Sequence, residues 1–465
     1  MTSTTSPATK PAAGDPFASL RGRISGEIIT PEDEAYEAAR AVHIAHYNRR
    51  PSAIVRVAST EDVAEVVRFA AAQGMPLAVR SGGHSVPGLS MMNGVVTVDL
   101  SGLNKVTIDP VRRIARAQAG ATSRDLALPA HEHGLALTTG DTASVGLGGL
   151  VTGGGIGYMS RKYGLTIDNL ISARVVTADG EIRTASAGEH PDLFWAIRGG
   201  GGNFGIVTEF ELQLAPVDTV LGGALVLPAT REVVRGYLDY MAVAPDGLTT
   251  LVDMMAAPPA PFIPEDLVGT PVFMVLTVWT GDTDEGQRAI APLRALAEPH
   301  ADTIAEIPYP AIYEYTAELE GRHGLAMRSM FTDSFSDEAI DAAIAAVANG
   351  TAPVSMLHIR GQGGAIARVP SDATAFAHRT QKYFISVIAV WMPDDEQQAT
   401  HEAWANDLWS RIRGEGSGAY VNFLQDEPDR ISEAYPPATL QRLREVKTTY
   451  DPRNVFRFNQ NITPL

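Results

Sequence analysis

Glycine constrains this chain more than any other residue, because its 43 copies are unevenly spread. They gather in Arg80-Ser-Gly-Gly-His-Ser85, in Gly146-Leu-Gly-Gly-Leu-Val-Thr-Gly-Gly-Gly-Ile-Gly157 and in Gly199-Gly-Gly-Gly-Asn-Phe-Gly205. Glycine tolerates positive φ, and without a Cβ its N–H can approach a phosphate closely. One such cluster reads as a tight turn. Several, each following a strand or helix signal, read as a cradle for a phosphate-bearing ligand.

The most familiar cradle fails a direct test. Gly200, Gly202 and Gly205 spell G-x-G-x-x-G, but Leu193–Arg198 before them has a helical pattern and Ile206–Leu214 after them alternates like a strand. A nicotinamide-binding Rossmann turn needs strand, glycines, then helix, so the order is reversed. A P-loop is excluded too, since no Gly-Lys-Ser/Thr occurs.

At 465 residues the chain exceeds one hydrophobic core, and two or three domains are expected. Its net charge of −17 opposes nucleic acid and anionic membranes as partners. The absence of cysteine excludes disulfides, thiolate nucleophiles and thiolate-ligated metals. Residues 1–20 read as a disordered tail without an export signal, and no apolar run is long enough to span a bilayer, so a cytoplasmic protein is expected.

Short helices and strands alternate up to Pro216. A helix over Ser59–Gly74, capped by Thr60 and ended by Gly74, precedes strands at Leu77–Arg80, Val95–Leu100 and Ile114–Ala119 and a helix from Ser123. From Val217 the glycine clusters thin out, and apolar strands such as Leu221–Leu227, Val272–Trp279 and Phe384–Trp391 alternate with helical stretches such as Ser336–Asn349. This gives an α+β protein with domains at 21–216 and 217–415 and a terminal segment, 416–465.

Together with Tyr450-Asp-Pro-Arg-Asn-Val-Phe-Arg-Phe-Asn-Gln-Asn-Ile462, these motifs resemble the vanillyl-alcohol oxidase / p-cresol methylhydroxylase flavoprotein superfamily, in its berberine-bridge-enzyme-like branch. The resemblance covers residues 46–216 and 415–465 and, more loosely, the middle. It implies a two-part FAD-binding domain of the p-cresol methylhydroxylase type, to which 416–465 returns, and a substrate domain with an antiparallel sheet covered by helices. It further implies FAD linked covalently through His84, whose neutral imidazole can attack the flavin methyl group. Arg80, Ser81, Gly82, Gly83, Ser85 and Gly88 would form the pyrophosphate loop, with Arg80 balancing its charge. Gly148, Gly149, Gly153, Gly154 and Gly157 match the second cofactor segment, Asn203, Gly205, Ile206 and Val207 the third, and Asn459 and Asn461 the terminal one. Thr142 stands where many members place a second, cysteinyl link, so the bond through His84 would be the single one.

For the chemistry, Tyr420-Val-Asn422 resembles the motif whose tyrosine is the base in sugar-oxidising members. Tyr383, sharing a strand face with Trp391, is a candidate pocket residue. His131 and His133 point in different directions at a helix end, and His43 with His46 has no evident carboxylate; neither pair indicates a metal site. The expected reaction removes a hydride from an alcohol or hemiacetal carbon of a sugar or secondary metabolite, with dioxygen returning the flavin as hydrogen peroxide forms. The alternatives are an amine oxidase, like nicotine-oxidising members held by one histidine, and a dehydrogenase using another acceptor. The partners are a small-molecule substrate and dioxygen; no residue pattern sets an oligomeric state.

Overall fold

The computed structural model describes residues 15–425 and 427–465. The expected tail falls mostly on residues 1–14, outside the described residues. Its boundary at 20 is corrected: Ala18–Arg21 is a short helix, and Phe17 and Leu20 are buried, with Phe17 against Phe69.

The first layer is a four-stranded sheet ordered Glu27–Ile29, Ala53–Arg56, Val96–Asp99, Leu77–Arg80, in which the last three strands run parallel. The helix Thr60–Gln73 makes the crossover. Ser59, not Thr60, caps it, because Ser59 holds the extended conformation and accepts the Asp62 N–H. Gly74 closes it in the left-handed region. A glycine-rich loop leaves the C-terminal end of Leu77–Arg80, where parallel sheets present their ligands.

An antiparallel five-stranded sheet follows, ordered Val106–Asp109, Ile114–Gln118, Ile206–Gln213, Leu170–Val176, Ile182–Ser186. The helix Pro191–Ala196, the glycine turn and the strand from Ile206 occur in the order that excluded a Rossmann turn. Side chains from both sheets and from the C-terminal helix Pro437–Tyr450 share one apolar core.

The middle of the chain forms an antiparallel eight-stranded sheet. Its central strands are Thr219–Pro228, Pro271–Trp279, Leu248–Ala256, Val354–Gly361, Tyr383–Trp391 and Gly324–Thr332, in that spatial order. The helices Arg231–Met241, Thr283–Arg294, Asp337–Ala348 and Gln398–Ile412 pack on one face. This is the α+β architecture expected, two smaller sheets sharing one core beside a helix-covered antiparallel sheet.

Period-two alternation decides which side chains meet which layer. Tyr383, Ile385, Val387, Ala389 and Trp391 face the helices, while Ile388 and Val390 face the cavity between the sheets. The expected pocket role of Tyr383 and Trp391 is therefore overturned: the Tyr383 hydroxyl donates to the Leu238 carbonyl, under the helical layer. Among the described residues no helix is long and apolar enough to cross a membrane.

Candidate active site

A cavity of about 420 Å³ lies where the three sheets meet. The Ser81–Ser90 loop, Gly146–Leu150 and Gly201–Val207 form one side; the open face of the large sheet forms the other. The terminal segment Phe456–Gln460 closes one end.

The glycines divide into two kinds. Some allow backbone to approach backbone: a Cβ on Gly82 would stand 2.4 Å from the Gly146 N, and one on Gly157 2.5 Å from the Gly140 N. Others leave the cavity wall bare, and a Cβ on Gly149 or Gly202 would meet nothing within 4 Å. Ser81, Gly82, Gly83, His84, Ser85, Thr142, Gly148, Gly149, Asn203, Gly205, Ile206, Val207 and Asn459 all line the cavity.

Several expected residues stand elsewhere. Arg80 pairs with fully buried Asp99 (Nη2 to Oδ2, 2.8 Å) and donates to the Ala39 carbonyl, so it secures the loop rather than facing a phosphate. A buried carboxylate demands that counter-ion. Gly88 sits in a positive-φ turn beneath the Tyr47 ring. Gly153 and Gly154 lie behind the wall, where a Cβ would strike Asn422 and Tyr420 respectively, and Gly157 packs on Gly140. Asn461 does not line the cavity, although its Oδ1 is buried without a hydrogen-bond partner.

His84 is packed against two other histidines. Its ring stacks on His43 at 3.8 Å between centroids, and His43 meets His323 edge-on at 4.7 Å. Ser144 Oγ lies 3.1 Å from His84 Nε2. Burial, followed by the neighbouring His43 and His323, pushes His84 down to about 3, so the imidazole is neutral at physiological pH.

Tyr420 and Asn422 converge on the cavity. The Tyr420 oxygen accepts the Gly155 N–H at 2.9 Å and the Asn422 amide at 3.1 Å, which leaves its own O–H to donate. Burial raises this phenol above the ordinary tyrosine value, against the opposing pull of those two donors and Arg360. The same two donors and Arg360 would also steady a phenolate, so the geometry is compatible with a hydrogen-bond donor and with the proton acceptor expected from the motif.

The sheet face that lines the cavity is mainly aliphatic: Leu251, Leu276, Leu325, Met327, Met356, Ile388 and Val390. One polar chain interrupts it. His358 Nδ1 meets Asp253 Oδ1 at 2.6 Å, Arg360 Nε donates to His358 Nε2 at 2.8 Å, and Arg360 pairs with Asp141 while its guanidinium lies over the Phe423 ring. The sequence did not single out these residues or His323, and His43 was weighed there only as half of a metal pair. Its available signal was the alternation Met356-x-His358-x-Arg360, which puts two polar groups on the face opposite Leu357 and Ile359.

The terminal segment is fixed by a buried ion pair. Lys447 Nζ, fully buried, bonds Asp451 Oδ2 at 2.7 Å and the carbonyls of Asn203 and Phe456. Asn203 in turn donates to Gln460 and accepts from Ile462. Glycine turn and terminus are thereby held as one wall.

These features fit a flavin dinucleotide. Bare glycine backbone gives room for close approach, Ser90 Oγ and Asn459 Oδ1 are buried at the cavity without partners, and the cavity extends from the loop to the sheet. The FAD binding domain family matches residues 51–186, and the berberine and berberine-like family matches residues 419–463. The (R)-6-hydroxynicotine oxidase of Paenarthrobacter nicotinovorans is 33% identical over 95% of this chain and 97% of its own.

The chain belongs to the berberine-bridge-enzyme-like branch of FAD-linked oxidoreductases. Among solved structures, 6-hydroxy-D-nicotine oxidase from Arthrobacter nicotinovorans superposes with a TM-score of 0.86 at 30% identity, covering 95% of this chain and 98% of that one. Xylooligosaccharide oxidase from Myceliophthora thermophila C1, at 24% identity over 96% of this chain and 98% of its own, shares the fold with a TM-score of 0.85. As a member of this berberine-bridge-enzyme-like branch, the protein is an enzyme that uses FAD.

Proposed function

We propose that the protein is an oxidase of compact, largely apolar molecules, acting at a carbon that bears a hydroxyl or an amine. One observation carries this reading: the Tyr420 hydroxyl, already accepting two N–H groups, lines the same cavity as a largely aliphatic sheet face. Its O–H can donate to a lone pair on the substrate's oxygen or nitrogen and so orient the neighbouring C–H, while the leucine and methionine side chains exclude water from the apolar remainder. The same wall disfavours an oligosaccharide, whose hydroxyls would lie unpaired against it.

FAD, when bound, supplies the hydride acceptor, which dioxygen then reoxidises to yield hydrogen peroxide. We further propose that His84 holds it covalently. A neutral imidazole in a loop whose two preceding residues are glycines is a competent nucleophile, and His43 and Ser144 fix its ring. Thr142 lines the cavity and offers no thiolate, so a second link of the cysteinyl kind is excluded. One relative is named for oxidising 6-hydroxynicotine and another for oxidising xylooligosaccharides; the largely aliphatic wall brings this chain nearer the former. Anaerobic mixing with a panel of small alcohols, sugars and amines, followed at the visible flavin band, tests the reading.

A further inference from the structure

The polar chain on the sheet wall has an uneven charge count. Arg360 donates Nε–H to His358 Nε2, so that nitrogen must be the unprotonated one and His358 donates its Nδ1–H to Asp253. A second proton on His358 would place two N–H groups head to head. Arg360 also pairs with Asp141, and His358 turns its Nδ1–H toward Asp253. Among the described residues the Asp253 side chain has no partner other than His358.

That carboxylate stands beside Leu251, Met356 and Leu276 on a face turned to the cavity, with its side chain 23% exposed. An uncompensated charge at an aliphatic wall is costly, and a cation brought there recovers the cost. The chain's overall charge of −17 adds attraction of the same sign. We infer that Asp253 is a specificity residue that binds the cationic form of an amine substrate and takes one ammonium proton before the neighbouring carbon gives up its hydride to FAD, leaving an iminium; this rests on the oxidase reading of the same cavity. The Arg360–His358 contact acts through it, as a positioning pair that aims the His358 Nδ1–H at Asp253.

The test uses the holoenzyme and binding calorimetry under anaerobic conditions, with matched probes that differ in charge alone. 1-Phenylethylamine is compared with 1-phenylethanol, and benzyltrimethylammonium with its neutral carbon isostere neopentylbenzene. The expected result is binding at least tenfold tighter for each cation. Asp253→Asn should bring each pair within about twofold of each other, with alcohol affinity and melting temperature retained. Neutral probes that bind as tightly as the cations, cations that do not bind, or a preference that survives Asp253→Asn would each overturn the inference. The quaternary pair needs no variant, so a misfolded Asp253→Asn leaves the test intact. Bleaching of the flavin by alcohols alone would overturn Asp253 selectivity and keep the oxidase; amine binding with no bleaching by any compound would keep the selectivity and remove the oxidase.

Discussion

Arg360 donates its Nε–H to Nε2 of His358 across 2.8 Å, two residues back on the same strand and on the same face of the sheet. The contact ties a charged group from the substrate sheet to Asp141, which follows Gly140 in the flavin-side loop. Arg360 further donates to the Ile156 carbonyl at 3.1 Å. Replacing it by methionine leaves Asp141 and His358 without these bonds. Arg360→Met should lower unfolding stability by about 1–3 kcal/mol, read from denaturant titration.

The His84 bond is testable without a substrate. Denatured wild type should keep its flavin fluorescence through acid precipitation and gel electrophoresis. His84→Ala should release all of it while still being able to bind FAD reversibly. Flavin freed from the wild type by denaturation would remove the covalent link.

Tyr420→Phe deletes one hydrogen-bond donor and leaves the ring packed on Phe376, Phe384 and Phe423. The loss of one such bond, about 0.5–1.5 kcal/mol, should slow flavin reduction roughly tenfold or less. Rapid-reaction absorbance measures it. A fall of a thousandfold would make Tyr420 a proton acceptor instead, as the resemblance of the motif suggested.

Acid should destabilise the flavin-free protein through its buried imidazoles. His84 is lowered to about 3, and His46, His323 and His378 are also lowered, in each case chiefly by burial. Between an unfolded value near 6.5 and those lower folded values, the unfolded chain binds more protons, so stability falls as pH drops through that window. Melting temperatures from pH 7 to pH 4 should show this decline, and His84→Asn should make it shallower. A curve unchanged by that substitution would mean that His84 titrates normally in the folded protein.

Lys447 and Asp451 are a fully buried pair, so removing one partner strands the other. Lys447→Met should cost about 3–5 kcal/mol in chemical unfolding. It should also loosen flavin retention, because Asn203 and Phe456 lose the ammonium that joins them.

The flavin side was legible in the sequence because it is built from backbone. Glycine at 82, 146 and 157 is a geometric requirement that side-chain letters record directly, and helix boundaries at Gly74 and Ser336 follow from local capping. Arg80 was misread because its partner Asp99 is brought alongside by parallel strand pairing, which local patterns do not reveal. Tyr383 was misread for a related reason. Alternation shows that a strand has two faces, yet only the packing of four helices decides which of them is covered. The Asp253–His358 pair depends on register between two strands more than a hundred residues apart, and no spacing in the chain encodes it.

The most direct measurement is anaerobic mixing of the holoenzyme with the substrate panel, monitored at the visible flavin absorption. The account predicts that at least one compact, mainly apolar compound, with an amine as the first expectation, bleaches the band. Admitting air should then restore it with release of hydrogen peroxide. A band unchanged by every alcohol, sugar and amine, or one restored by air without peroxide, would contradict it.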